Sequence, residues 1–385
     1  MNRRRFLIRS ATALGAASFA AACRDDVTPA TLTVAPPPPI ASQFPALTFI
    51  TCDPAFTDYR PAIDATGTIV LFERTPFPNP NDVPTAIYMV KAGATCASAT
   101  ATAFVPPPVN APATFPFAQT RPDWSWVTGQ VAFSGAPSNS ANNQIQIYTV
   151  GSTGGAPTLV PQTIQHIYPI WTSDGKMLVA YNENPTNAFP LPPVSALIDP
   201  MTGDRYVKNL NGNDADNVPV FGGFAAPQPG NPRHIAFAGQ PELASWGMPA
   251  SPTTTGTAPV YNQDNNYVFL NSVSNAVYSS APLEPGASIS AYDSTKQGRA
   301  PYWSPNGQYI VFETSRYGGY ALCLANVAAL AKGAAPVQLT DAGYAAQHAK
   351  FLPNGHQLVF TALQTPNAAG TGPRGIALID ISPYL

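Results

Sequence analysis

The chain has 385 residues, of which 45% are hydrophobic and only 10% are charged, with a formal net charge of -2. An ordinary soluble domain has about 25% charged residues, and this near-neutral balance lacks the basic surface that nucleic-acid binding requires, so no nucleic-acid partner is expected. The 44 prolines and 28 glycines favour many short strands joined by turns and loops over helices. An all-β fold is therefore predicted.

Residues 1–22 have the features of an export signal and are set apart from the fold. The run Arg3-Arg4-Arg5-Phe6-Leu7 resembles the twin-arginine export motif, and a short apolar run follows it. Ala20-Ala21-Ala22-Cys23 resembles a bacterial lipobox, in which the cysteine is lipidated. Ala20 stands where leucine is usual, so ordinary signal-peptidase cleavage with plain secretion, and an uncleaved anchor, are the alternatives to a lipoprotein signal peptide.

Residues 23–44 are predicted to form a proline-rich tether. Pro36–Pro39 favours extended polyproline II, which rises about 3.1 Å per residue. If Cys23 carries a lipid, the body of the protein stands at most about 60 Å from the membrane. The predicted location is the periplasm or the cell surface, with a membrane anchor on Cys23.

Three cysteines remain, namely Cys52, Cys96 and Cys323. In an oxidising compartment Cys52 and Cys96 could form a disulfide, because both lie in the first repeat of the chain. The alternative is that all three are buried thiols that act as small hydrophobic groups. No pair has the Cys-x-x-Cys spacing of a zinc or haem site, so ligation of these groups by cysteine is not expected.

Residues 45–385 contain six copies of one pattern, a proline-led strand, a turn and a second strand that ends in Phe or Tyr. The six copies begin with Arg60–Gly67, Arg121–Gly129, Tyr168–Gly175, Val218–Phe221, Ala300–Gly307 and His348–Gly355, and the fourth has a loop in place of the tight turn. A third strand and a weaker fourth strand follow in each copy. This pattern predicts a six-bladed β-propeller of four-stranded antiparallel blades, with Leu47–Ile50 closing the ring as the last strand of the sixth blade.

The run Pro301-Tyr302-Trp303-Ser304-Pro305-Asn306-Gly307, with Ile310 and Phe312, resembles the TolB-type propeller repeat. That family consists of periplasmic and secreted six-bladed propellers that mostly act as protein-interaction platforms, and the resemblance covers residues 45–385. It implies a fold and a binding role, but propellers host both binding and enzymatic functions. The TolB protein has a further α/β domain before its propeller, and this sequence has no match to it.

The residues before the aligned prolines are expected to ring the mouth of the central channel, on the face that carries the long loops. They are Arg60, Arg121, Tyr168, Val218, Ala300 and His348, with Arg299 one step earlier in the fifth copy. Three arginines and a histidine that converge in this way indicate an anion or carboxylate site. The alternative is that each arginine pairs with a nearby acid or is simply solvated.

Tryptophans divide into two groups. Trp124, Trp171 and Trp303 recur at one repeat position and are predicted to be core residues between blades. Trp246 lies in the longest loop, where it could anchor a partner or pack against its own loop.

Catalytic and metal-binding signals are weak. The four histidines have no metal-ligand spacing, and no Gly-x-Ser-x-Gly elbow is present. Asp214, Asp216 and Asn262–Asn265 offer oxygen ligands for calcium, but these runs lack the full spacing of a calcium loop, and ordinary turn chemistry explains them better. We therefore expect no cofactor and a non-catalytic binding or scaffold protein of the bacterial envelope, with a protein or peptidoglycan-related partner. The alternative is a metal-dependent, lactonase-like propeller hydrolase with its site in the channel.

Overall fold

The computed structural model describes residues 44–79, 83–106, 118–136, 145–182, 194–207, 210, 220–241, 266–274 and 277–385. These residues form six antiparallel sheets of four strands each, which are the blades of a β-propeller. The fold predicted from the repeats is confirmed. Within the described part of the chain, no helix has both the length and the apolar character needed to cross a membrane.

The strands follow one order in every blade, from the innermost strand at the channel to the outermost at the rim. In chain order they are β1 (Thr48–Phe49), β2 (Phe56–Ile63), β3 (Ile69–Pro76), β4 (Ala86–Lys91), β5 (Thr102–Ala103), β6 (Ala118–Trp124), β7 (Val131–Ala136), β8 (Gln146–Val150), β9 (Thr158–Leu159), β10 (His166–Trp171), β11 (Leu178–Asn182), β12 (Val194–Ile198), β13 (Arg205–Val207), β14 (Val220–Gln228), β15 (Asn231–Pro241), β16 (Tyr267–Ser274), β17 (Val277–Pro282), β18 (Arg299–Trp303), β19 (Tyr309–Thr314), β20 (Ala321–Asn326), β21 (Val337–Gln338), β22 (Gln347–Phe351), β23 (Gln357–Leu363) and β24 (Arg374–Asp380). The helical elements are α1 (Val327–Leu330) and single 3₁₀ turns at Ser294–Lys296, Ala342–Tyr344 and Ser382–Tyr384.

The sixth blade is completed from the start of the propeller. Strand β1 pairs antiparallel with β24, and Phe49 lies opposite Ala377. Ile50, directly after β1, is fully buried, and its N–H donates to the carbonyl oxygen of Ile376 at 2.9 Å. The predicted closing strand is therefore confirmed, and it joins the two ends of the ring.

The fourth blade differs from the sequence prediction. Its innermost strand, β14, extends to Gln228 and turns tightly through Pro229-Gly230 into β15, so the blade has a short hairpin turn and not the predicted loop. Gly230 has a positive φ of 79°, a conformation that glycine adopts without steric cost. The sequence pattern predicts the first strand of this blade too early, because it aligns Pro219 with the prolines of the other copies. Val218 lies outside the described residues.

The hydrophobic core lies between adjacent blades. Phe72, Phe133, Phe237, Phe312 and Phe360 are each at most 1% exposed, and each lies on the second strand of its blade. Such burial stabilises the fold by about 1.5–3 kcal/mol per side chain. Each second strand continues past this phenylalanine, which the repeat pattern had placed at the strand end, and the phenylalanine packs one blade on the next.

Two further features match residues singled out in the sequence. Trp124, Trp171 and Trp303 are 9%, 6% and 3% exposed, as expected for core side chains. Cys52, just before the first blade, forms a disulfide with Cys96, which lies between the third and fourth strands of that blade. Cys323 is a buried free thiol.

Candidate functional site

Every innermost strand has a β-bulge at the same place, and the residue that begins each bulge has a left-handed backbone. These residues are Arg60, Arg121, Tyr168, Phe224, Ala300 and His348, with φ between 47° and 58°. A left-handed conformation costs a non-glycine residue about 1–2 kcal/mol, so six such residues are a built feature of the ring. The sequence predicts these residues at the starts of the innermost strands. In the structure they lie within the strands.

Polar side chains of the preceding blade hold several of these bulges. The backbone N–H of Arg60 donates to Thr361 Oγ1 at 3.0 Å, and that of Tyr168 donates to Ser134 Oγ at 3.1 Å. The N–H of His348 donates to a carboxylate oxygen of Glu313 at 2.8 Å. Each contact satisfies a donor that the bulge removes from the strand ladder. The bulges therefore couple neighbouring blades as well as turning residues onto the channel.

The bulge residues surround one cavity in the channel, which we call the basic cavity. Its volume is about 40 Å³, enough for a small head group. The lining includes Arg60, Arg121, Tyr168, Phe224, Ala300, His348 and Lys350. The structure thus brings together the predicted channel-mouth residues of blades one, two, three, five and six. In blade four the position belongs to Phe224, which replaces the predicted Val218.

Two of the predicted arginines have buried carboxylate partners. Arg60 Nη1 lies 2.7 Å from Glu73 Oε2, and Arg299 Nε forms an ion pair with Glu313. Both glutamates are 1% exposed. Glu73 also accepts hydrogen bonds from Thr120 Oγ1, at 2.6 Å, and from a backbone N–H. The predicted alternative, in which each arginine pairs with a nearby acid, therefore holds for these two arginines. Arg299 also does not line the basic cavity.

Arg121 is different because it forms no ion pair with any described residue. Its Nε is buried and has no hydrogen-bond partner. The guanidinium carbon lies 4.5 Å from the ring centroid of Tyr168, a cation–π contact, and the ring of Phe224 packs against that tyrosine at 4.4 Å. A guanidinium held by aromatic contact keeps its donors available for a planar anion.

His348 is a buried imidazole beside these cations. Burial, followed by the positive charges of Arg60 and Arg299, holds the pKa of His348 well below its ordinary value. The neutral ring places Nδ1 3.4 Å from Tyr168 Oη and 3.9 Å from a carboxylate oxygen of Glu313. At neutral pH the histidine therefore adds a polar group to the site without adding charge.

An ion pair joins blade six to blade two at the basic cavity, and its lysine is one of the residues that line the cavity. Lys350 Nζ, from blade six, lies 2.5 Å from Asp123 Oδ1 of blade two, and it also donates to the carbonyl oxygen of Pro122 at 3.1 Å. The second oxygen of Asp123 accepts the backbone N–H of Trp171 at 2.8 Å. The ring of Tyr302 lies 5.4 Å from the ammonium group. Of the three cations that line the basic cavity, two are thus neutralised, and Arg121 supplies the excess charge.

The remaining candidates from the sequence are Trp246 and the residues suggested as calcium ligands. Trp246, Asp214, Asp216 and Asn262–Asn265 lie outside the described residues. Across the described ranges, no group of three or more His, Cys, Asp or Glu side chains is placed to hold a metal ion.

Several residues of the site did not emerge from the sequence. Glu73 and Glu313 occupy the same register position, directly after the buried Phe of the second strand of their blades, and this repetition was the available signal. Lys350 and Asp123 lie two residues beyond their bulge residues. Their pairing joins two blades that are not adjacent in the ring, which local sequence does not encode.

Comparison with known proteins supports the fold alone. No protein-family model and no curated protein sequence matches the chain. A protein of unknown function from Dyadobacter fermentans is 12% identical, with a TM-score of 0.56 over 88% of this chain and 99% of its own. TolB from Acinetobacter baumannii is 14% identical, with a TM-score of 0.43 over 74% of this chain and 54% of its own.

An α-L-arabinofuranosidase of Fusarium graminearum is 14% identical, with a TM-score of 0.49 over 88% of this chain and 98% of its own. The chain spans about half the length of the TolB chain and nearly all of the other two. Identities this low carry no information on substrate or partner. The chain is therefore a six-bladed β-propeller, and its function has to be argued from its own site.

Proposed function

We propose that this protein is a non-catalytic binding protein of the bacterial cell envelope, and that its basic cavity holds a carboxylate group of its partner. The observation that carries the proposal is Arg121, a guanidinium in a channel cavity that has no carboxylate partner among the described residues. Arg121 is partly buried, so its charge is incompletely solvated, which costs free energy. Binding an anion there relieves that cost and so favours association.

The shape of the site favours a carboxylate over a larger anion. A cavity of about 40 Å³ accommodates a head group and little more, and a guanidinium matches a carboxylate with two parallel N–H···O bonds. Phe224 and the prolines that follow the bulge residues supply an apolar wall for the carbon chain behind the head group. The terminal carboxylate of a protein and that of a peptidoglycan stem peptide share this chemistry.

Export and anchoring belong to the same proposal. The twin-arginine-like run at Arg3–Arg5 and the lipobox-like run that ends at Cys23 support an exported lipoprotein, and an envelope location would supply both kinds of carboxylate partner. Cells given labelled palmitate should incorporate it into the wild-type protein and not into Cys23→Ser.

The binding step is tested by calorimetric titration with N-acetyl-alanylalanine in its L,L and D,D forms, each as the free acid and as the terminal amide. We expect the free acids to bind and the amides to bind at least tenfold more weakly, because a hydrogen bond to a charged group contributes about 1.5–3 kcal/mol. A preference for the L,L form would indicate a protein terminus, and one for the D,D form a stem peptide.

The matched variants are Arg121→Gln and Arg233→Gln. Arg233 is exposed near the start of β15 in the fourth blade and does not line the basic cavity. Arg121→Gln should lose binding of the free acid while keeping its thermal unfolding transition, and Arg233→Gln should bind as the wild type does. Equal affinity for acid and amide, or unchanged binding by Arg121→Gln, would show that the cavity is not a carboxylate site.

A further inference from the structure

A second guanidinium near the basic cavity has no carboxylate partner. Arg374, at the start of β24, is 8% exposed and forms no ion pair with a described residue. Its Nη1 donates to the carbonyl oxygen of Ala345 at 2.7 Å, and its Nη2 donates to that of Gly370 at 3.1 Å. Backbone carbonyls orient a guanidinium but carry no net charge. Arg374 therefore keeps an uncompensated positive charge, and its Nε, which bonds to no described residue, is not buried.

Tyr59 brings Arg374 close to Arg60. The guanidinium carbons of Arg60 and Arg374 lie 5.9 Å and 5.5 Å from the centroid of the Tyr59 ring, and we call these two residues the outer arginines. The side chain of Arg60 is 28% exposed, and its Nη2 makes no hydrogen bond with a described residue. Arg60 lines the basic cavity and Arg374 does not. The outer arginines therefore connect the cavity with a second cationic position beside Tyr59.

The charges around the basic cavity do not balance. The pKa of His348, whose ring lines the cavity, is lowered by burial and then by the charges of four guanidinium groups, namely those of Arg60, Arg299, Arg121 and Arg374. Lys350 lines the cavity as a further cation. Within the described part of the chain, the carboxylates that pair with these cations are those of Glu73, Glu313 and Asp123. The positive charges of Arg121 and Arg374 are left over.

Two excess charges at different positions favour a ligand with two separate anionic groups. A phosphate or a sulfate concentrates its charge on one centre, whereas Arg121 lines the basic cavity and Arg374 lies outside its lining. A dicarboxylate is a better match, because each guanidinium can donate to one carboxylate in a charge-assisted hydrogen bond. An aspartate or glutamate at the carboxyl terminus of a protein supplies both groups, since its α-carboxylate and its side-chain carboxylate are separated by only a few bonds.

We propose that this protein binds an acidic carboxyl terminus, with the terminal α-carboxylate on Arg121 and the side-chain carboxylate of the last residue on the outer arginines. The inference rests on the proposed carboxylate function of the basic cavity and specifies the partner. Arg60 shares its charge with Glu73 and contributes the free Nη2 donor, whereas Arg374 contributes the uncompensated charge. A terminus with a single carboxylate leaves that second charge without a partner.

The test is calorimetric titration of the full chain with N-acetyl-L-alanyl-L-glutamate and N-acetyl-L-alanyl-L-glutamine, which have the same size and differ by one charge. The wild type should bind the glutamate peptide about tenfold more tightly, the lower end of what a hydrogen bond to a charged group contributes. In Arg374→Gln the ratio of the two affinities should fall below about threefold, and in Arg374→Lys, which keeps the charge, most of it should remain. Arg233→Gln is the control and should keep the wild-type ratio.

Equal affinity of the wild type for the two peptides, or an unchanged ratio in folded Arg374→Gln, would overturn the proposal. If Arg374→Gln does not fold by circular dichroism, the wild-type ratio alone decides. The glutamine peptide still has one carboxylate, so it reports on the basic cavity by itself. Failure of both peptides to bind would count against the carboxylate function, whereas equal and measurable binding of both would overturn only the acidic terminus.

Discussion

His348 shows how the basic cavity handles charge at the level of single residues. The imidazole is kept neutral by burial and by the guanidinium groups of Arg60, Arg299 and Arg121. In the unfolded chain the same histidine would titrate near its usual pKa of about 6.5. Above that pH neither state binds the proton. Below it the unfolded state gains a proton that the folded state does not bind, so the free energy of unfolding must fall as the pH falls.

We expect the wild-type protein to lose stability between pH 7.5 and pH 5.5, and His348→Gln to lose about 1 kcal/mol less over this interval, since one histidine contributes up to about 1.4 kcal/mol per pH unit. His356→Gln is the control because His356 is exposed. The free energy of unfolding of this variant should change with pH as that of the wild type does. Urea unfolding at both pH values measures the effect. Parallel losses in all three proteins would mean that His348 protonates freely in the folded state.

At the level of elements, the bulge of the innermost strand decides where the site residues lie. Each bulge residue adopts a backbone that only glycine tolerates without strain. Bulge residues whose side chains line the basic cavity thus combine backbone strain with a place in the candidate site, as strained residues at functional sites often do. Ala300 has the same backbone, with a φ of 47°, but brings only a methyl group to the cavity.

Ala300→Gly should therefore stabilise the protein, by about 0.5 kcal/mol, because relief of the left-handed strain exceeds the added entropy of the unfolded chain. Ala349→Gly, next to a bulge residue but with an ordinary negative φ, should destabilise it by about 1 kcal/mol. Chemical denaturation of the two variants compares the signs directly. If both lose stability equally, the bulge backbone carries no strain.

The elements also show how far sequence reasoning reached. The blades were predictable because a proline, a glycine turn and a strand ending in Phe or Tyr recur along the chain. Blade four was misaligned because its bulge residue, Phe224, is followed by Ala225 and not by proline. In blades one, two, three and five the proline of the motif directly follows the bulge residue. Blades four and six have the same bulge without that proline, so the bulge geometry does not require it.

At the scale of the whole molecule, ring closure creates the site. Arg60, Arg121 and His348 come from blades one, two and six, and they meet in one cavity only because β1 completes the sixth blade. The sequence predicted this convergence, because equivalent residues of six repeats are expected to form a ring around the central channel. It did not predict Glu73 or the pairing of Lys350 with Asp123, because these contacts join different blades and depend on positions around the ring.

The central claim is that Arg121, which forms no ion pair with a described residue, binds a carboxylate in the channel. A crystal structure of the protein with N-acetyl-alanylalanine tests it most directly. The account predicts a carboxylate oxygen in the basic cavity at hydrogen-bond distance from Arg121, about 2.7–2.9 Å. A peptide bound elsewhere, or Arg121 paired with a carboxylate of the protein's own chain, would contradict it.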